Sequence, residues 1–193
     1  PGFGFECDKL DANAFDAHLE AYVGRLLKKV GPRTPGRGWT MMHIDSWEMG
    51  SQNWTAAFAE EFRRRCGYDP TPYLPAYMGL IVDSPQQSER FLWDVRGVAQ
   101  ALVLENHAGR LKQFAHAHGM GLSIEPYDMN PTSDMELGGV ADVPMCEFWS
   151  PGNFDSTFSC IEATSIAHTL GRPIVAAEAF TDGSLTSWEQ HPG

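Results

Sequence analysis

Four stretches of this chain end an apolar run on carboxylates. They are Met41-Met42-His43-Ile44-Asp45-Ser46-Trp47-Glu48, Leu122-Ser123-Ile124-Glu125-Pro126-Tyr127-Asp128, Val143-Pro144-Met145-Cys146-Glu147-Phe148-Trp149 and Ile174-Val175-Ala176-Ala177-Glu178-Ala179-Phe180. An acid just past an apolar strand is desolvated by its neighbours, which raises its pKa and suits it to proton transfer. Two such carboxyl groups, one donating a proton to a leaving oxygen and the other activating water or attacking carbon, are the equipment for breaking a glycosidic bond. Glu48, Glu147 and Glu178 are the catalytic candidates. Any one of them alone could be a solvated loop carboxylate or a helix-cap partner. Asp45 can hydrogen-bond a sugar hydroxyl or orient Glu48, although turn capping is the commoner fate of Asp. Trp47, Trp54, Tyr127, Phe148 and Trp149 lie beside the acids, where a flat apolar ring can stack on the C–H face of a sugar or simply fill core. Glu125, Asp128 and Asn130 bunch oxygen ligands of the kind a hard cation takes, but no EF-hand spacing accompanies them, and on spacing alone ordinary loop chemistry is the favoured reading.

Placing several strand ends on one face requires parallel strands with helical crossovers. Helical periodicity runs from Phe15 to Val30 after an Asp11 cap, and Gly31 stops it. A strand is predicted at 39–45. A short helix capped by Asn53 or Thr55 then runs to Cys66, and another short helix lies near 73–80. A long helix is predicted from Ser88 to His118, stopped by Gly119. Strands at 121–126 and 142–147, a helix at 157–170 stopped by Gly171, and a strand at 173–178 complete the pattern, with a possible fifth strand around Phe3–Cys7. This alternation predicts an α/β fold with a parallel sheet. A doubly wound sheet competes, but its glycine-rich phosphate loop is absent. A closed (β/α)₈ barrel needs about 250 residues, so the 193 residues are expected to form one catalytic-domain fragment, residues 1–193, of a partial barrel. The abrupt start at Pro1-Gly2-Phe3 and the end at His191-Pro192-Gly193 read as a piece of a longer protein.

With 14 Lys and Arg against 25 Asp and Glu, the net charge is 14 − 25 = −11, which disfavours a nucleic-acid backbone as partner and suits a neutral substrate or a bound cation. No apolar run reaches the roughly 20 residues that span a bilayer, and no signal-peptide pattern is present. Cys7, Cys66, Cys146 and Cys160 have no metal-ligand spacing and read as ordinary thiols. The seven His show neither H-E-x-x-H nor an H-x-H at a strand end, and no G-x-S-x-G elbow occurs, which disfavours zinc and serine hydrolases.

Taken together, His43-Ile44-Asp45-Ser46-Trp47-Glu48 with Gly50-Ser51-Gln52-Asn53-Trp54, Ser123-Ile124-Glu125-Pro126-Tyr127-Asp128, Cys146-Glu147-Phe148-Trp149 and Ala176-Ala177-Glu178-Ala179-Phe180 resemble glycoside hydrolase family 106 over nearly the whole chain. The resemblance implies an inverting α-L-rhamnosidase with a (β/α)₈ catalytic domain, accessory β-rich domains elsewhere, and a calcium ion in the sugar pocket. By motif, Glu48 matches the catalytic acid, and Glu147 and Glu178 match acidic strand ends of which one would be the base. Asp45, Trp47, Asn53, Trp54, Glu125, Tyr127 and Trp149 would contact substrate, and Glu125 with Asp128 would be metal ligands. The implied partner is a rhamnose-containing glycan, with neither nucleic acid nor membrane, and the rest of the parent chain completes the barrel. An extracellular or periplasmic location follows if the glycan is too large to import. Another barrel glycosidase, or a non-catalytic carbohydrate-binding domain, are the competing readings.

Overall fold

The computed structural model describes residues 6–32, 36–48, 50, 52–127, 132–150 and 155–181. The chain forms two compact units. The first comprises residues 1–32, 51–110 and 130–132, and the second residues 33–50, 111–129 and 133–193.

The first unit is helical. Helix α1 (Ala12–Leu19) opens on Asp11, whose carboxylate accepts from the Asn13 and Ala14 amides, as the sequence predicted. A π-helical turn at Glu20–Gly24 carries it into α2 (Arg25–Val30), which Gly31 ends at φ 75°. Helix α3 (Phe58–Cys66) starts later than expected. Neither Asn53 nor Thr55 caps it, because Ala57 occupies that position and the Thr55 hydroxyl donates to Asp8 Oδ2 at 2.7 Å instead. A 3₁₀ segment, Thr71–Met78, replaces the predicted helix near 73–80, since Pro72 and Pro75 cannot supply α-helical amide donors. Helix α4 (Pro85–Val103) passes through a second π-helical turn, Leu104–Ala108, into α5 (Gly109–Ala117), whose residues from Leu111 onward belong to the second unit. That wide turn brings the Leu104 carbonyl to 2.7 Å from where a Cβ on residue 109 would lie, so only glycine fits there. Phe58, Phe62, Phe91, Val95, Val98 and Leu102 make the apolar centre.

The second unit holds a four-stranded parallel sheet in the order β1 (Met41–Ile44), β2 (Gly121–Ile124), β3 (Val143–Trp149) and β4 (Ala176–Thr181). Strand order follows chain order without the reversal that defines a doubly wound sheet, as in a partial (β/α)₈ barrel. Helix α6 (Asp134–Val140) precedes β3, and α7 (Thr157–Leu170) lies between β3 and β4. The sequence reading missed α6, a seven-residue helix containing two glycines, Gly138 and Gly139, with too few turns to show a periodicity. Gly138 is required for packing, because a Cβ there would collide with Ile166 Cδ1 of α7 and crowd Pro126. Leu122, Ser123 and Ile124 are all buried, as expected of a strand covered on both faces. The last strand begins at Ala176 rather than 173. The possible fifth strand falls mostly outside the described residues, and Glu6 and Cys7 are not in a strand. Cys7, Cys66, Cys146 and Cys160 are free thiols. Among the described residues, no helix is long and apolar enough to cross a membrane.

Candidate active site

Register places the acids. Ile44 pairs with Ile124, and the Glu125 amide donates to the Ile44 carbonyl at 2.9 Å, so Asp45 and Glu125 leave the sheet side by side at the carboxyl ends of β1 and β2. Glu147 pairs with Glu178 across β3 and β4, which puts both side chains on the same face of the sheet. One carboxylate oxygen from each of Glu125, Glu147 and Glu178 lies within 4.8 Å of the others. Ligand atoms of His43, Asp45 and Glu125 form a second set within the same limit, so Glu125 belongs to both sets.

A β-bulge shapes the far end. Phe148 pairs with Ala179 but Trp149 pairs with Thr181, leaving Phe180 as the extra residue at φ 60°. A non-glycine residue in that region costs free energy, and such bulges concentrate beside functional sites, where they redirect side chains. The Phe180 ring meets Phe148 edge-on at 4.9 Å, and the Thr181 hydroxyl donates to Glu178 Oε1 at 2.8 Å. The Ser159 hydroxyl of α7 donates to the Glu147 carbonyl at 2.9 Å and ties β3 to that helix.

Glu125 is the central group. It is 1% exposed, and its Oε1 has no hydrogen-bond partner among the described residues. Burial pushes its carboxyl up to about 7, with the neighbouring Asp45 and Glu147 carboxylates adding to the rise and the Tyr127 hydroxyl opposing it. Tyr127 is 2% exposed and packs edge-on against Phe158. Its hydroxyl reaches no ideal hydrogen-bond geometry, yet burial first and the adjacent Glu125 second push its ionisation far upward. At neutral pH it is therefore a fixed O–H dipole facing the acids.

The remaining predicted residues are distributed as follows. Asp45 is exposed, and its Oδ1 lies 3.6 Å from His43 Nε2. Glu48 is exposed, accepts from the Ser46 hydroxyl at 2.8 Å, and is not a member of either close set. Trp47 and Trp149 are half-buried within the same unit. Asn53 and Trp54 lie in the first unit, where Trp54 packs on Phe58 at 4.6 Å. Asp128 and Asn130 lie outside the described residues. His43 was not among the predicted site residues. Its Nδ1 lies 3.0 Å from Ser123 Oγ, and its signal in the sequence is a lone exposed polar side chain between Met42 and Ile44 on a strand.

The donor set of Glu125, Glu147 and Glu178 fits a hard divalent cation. It is all oxygen and carries up to three negative charges. Two ligand oxygens on one calcium ion stand at most about 4.6–5.2 Å apart, which matches the observed spread. The unpartnered buried Oε1 of Glu125 also needs either a proton or a cation.

The family model for alpha-L-rhamnosidase, glycoside hydrolase family 106, matches residues 1–193. A protein of Formosa agariphila named "Putative beta-glucuronidase" is 39% identical over 195 residues, covering 99% of this chain and 16% of that protein. The structure of a rhamnosidase from Novosphingobium sp. PP1Y superposes with a TM-score of 0.78 at 34% identity, over 92% of this chain and 18% of that one. The chain thus spans less than a fifth of the length of these relatives, and it belongs to glycoside hydrolase family 106.

Proposed function

We propose that this chain is the part of an inverting α-L-rhamnosidase that carries its acidic centre, acting on terminal rhamnosyl residues of a polysaccharide or oligosaccharide. The observation that carries the reading is the convergence of Glu125, Glu147 and Glu178 from adjacent strand ends, with Asp45 and His43 beside them. Glu48 donates the proton to the departing oxygen, and Glu147 or Glu178 takes the proton of the attacking water. An inverting pair stands about 6.5–9.5 Å apart to admit that water. Glu147 and Glu178 are closer to each other than this, which is why the acid is drawn from outside the trio. Asp45 orients sugar hydroxyls, the buried Tyr127 hydroxyl faces Glu125, and Trp47 and Trp149 supply apolar surface. Glu125, with whichever of Glu147 and Glu178 is not the base, would hold calcium, with Asp128 as a further ligand, and the ion when bound would supply a fixed positive charge that positions sugar hydroxyls.

A second mechanism has one observation in its favour, because carboxyl groups about 5 Å apart are the spacing of a retaining pair. A second specificity is favoured by the name of the Formosa agariphila relative, which points to a uronic acid glycoside. One experiment separates all three. The parent protein is assayed on aryl α-L-rhamnoside and aryl β-glucuronide, with and without chelator, and the first-formed anomer is read by NMR. Rhamnoside turnover with inversion, lost on chelation and restored by calcium, is the expected result. Retention would reassign Glu147 and Glu178 as the catalytic pair, turnover of the glucuronide alone would overturn the sugar, and silence on both would leave a binding domain.

A further inference from the structure

The first unit contains a cleft of about 460 Å³ that the acidic centre does not use, lined by Tyr68, Asp69, Pro72, Tyr73, Gln87 and Arg90. That volume lies within the range of sites that hold small ligands. Its walls combine flat apolar rings with planar polar groups. Tyr73 stacks on Phe91 with centroids 5.7 Å apart, and Tyr68 stands nearly perpendicular to Tyr73 at 88° and to Phe62 at 87°. The rings are held at their hydroxyls as well, because Tyr68 donates to Asp94 Oδ2 at 2.9 Å and Tyr73 to Asp83 Oδ2 at 3.2 Å. Neither ring can turn away without breaking those bonds, so the aromatic wall is preorganised.

The polar groups are only partly engaged. Asp69 takes Arg63 Nε and Nη2 and the Thr71 amide and hydroxyl all on Oδ1. Among the described residues no hydrogen bond reaches its Oδ2, which can accept from a ligand. The Gln87 side-chain amide has no hydrogen bond among the described residues. Arg90 approaches Asp94 only at 3.8 Å, with its side chain 72% exposed. The cleft therefore offers a carboxylate acceptor, an amide that both donates and accepts, and a guanidinium donor, beside two tyrosine rings. An anion is a poor fit, because Asp69, Asp83 and Asp94 outnumber Arg63 and Arg90 around it. A purely apolar ligand would strand Gln87 and Arg90. A ring with one apolar C–H face and a rim of neutral hydroxyls satisfies every wall.

We propose that this cleft is a second sugar-binding site, which holds a neutral pyranose unit of the glycan apart from the bond being cleaved. The inference rests on the reading of the protein as a glycan hydrolase, and its test is independent of that reading. Tyr73→Ala, Gln87→Ala and Arg90→Ala are made in the full parent protein. Each is assayed for aryl α-L-rhamnoside hydrolysis and for retardation in native gels containing rhamnogalacturonan I or arabinogalactan. The expected result is aryl-rhamnoside hydrolysis within about twofold of wild type, with roughly tenfold weaker retention by at least one polymer. Wild-type retention in all three variants, or no retention of the parent by either polymer, would overturn the site. Gln87 and Arg90 are exposed, so their variants remain informative if Tyr73→Ala loosens the packing on Phe91. Retention that depends on Arg90 without any aryl-rhamnoside turnover would keep the cleft and discard the proposed activity.

Discussion

Glu125→Gln is expected to stabilise the cation-free protein above neutral pH while removing activity. The buried carboxyl rises from 4.5 to about 7, so the native state holds its proton more tightly than the unfolded chain does. For an acid displaced in that direction, stability falls as pH rises from about 4.5 through about 7 and then levels off. At about 1.4 kcal/mol per tenfold change in proton affinity, the whole displacement is roughly 3 kcal/mol. Part of it comes from Asp45, whose side chain is 71% exposed and screened by water, which lowers the working figure to about 2 kcal/mol. Glutamine has nearly the same shape, cannot ionise, and can donate from its amide to the neighbouring carboxylates. In the presence of chelator at pH 8, the calorimetric transition of the catalytic domain should therefore rise by roughly 4–8 °C, and at pH 4 the variant and wild type should nearly coincide. Added calcium should stabilise wild type and leave the variant unmoved, since binding to the native state alone shifts unfolding by mass action. A variant equally or less stable than wild type at pH 8 in chelator would refute the reasoning, because the native state would then not be bearing a crowded, desolvated charge.

Glu48→Gln should lower kcat by roughly 10²–10⁴ with little change in KM, as expected of a lost proton donor, and wild-type turnover would remove Glu48 from the mechanism. His107 is 7% exposed, its ring meets Phe15 edge-on at 4.8 Å, and burial, with Lys9 and His18 adding positive charge nearby, lowers its pKa to about 4. Its neutral form is the one that folds, so stability is whole above about 6.5 and should fall by up to about 3 kcal/mol as pH drops toward 4. Urea titrations of wild type and His107→Gln should show that loss in the wild type alone. Gly138→Ala should cost about 1–3 kcal/mol, because its methyl meets Ile166, and Ile166→Val in the same chain should recover part of that in thermal melts.

The four acidic strand ends were legible because a parallel sheet forces the step from apolar run to loop to occur on one face. Register turned that pattern into contact, as the Ile44–Ile124 and Glu147–Glu178 pairings show. What could not be read was the ranking of the acids. Glu48, Glu147 and Glu178 have similar neighbours in the chain, but only Glu125 ends wholly buried, and its surroundings come from Asp45 and Glu147, which are distant in sequence. His43 escaped notice because nothing local marks a strand histidine as facing an acid on the next loop. The two π-helical turns were invisible to periodicity, since inserting one residue into a long amphipathic helix only rotates the apolar face. Gly24 and Gly109, each at the end of such a turn, were the available clue. The cleft at Tyr68 and Tyr73 was hidden for a similar reason. Along the chain Pro70, Pro72 and Pro75 look only like helix breakers, whereas in the structure Pro72 lines the cleft with Tyr68 and Tyr73, whose hydroxyls are held by Asp94 and Asp83. Strand ends are specified by neighbours in the chain and so can be read along it. Ligand-sized spaces are specified by residues that meet only after folding, and a catalytic centre in a barrel is legible to the extent that it is built from the first kind of feature.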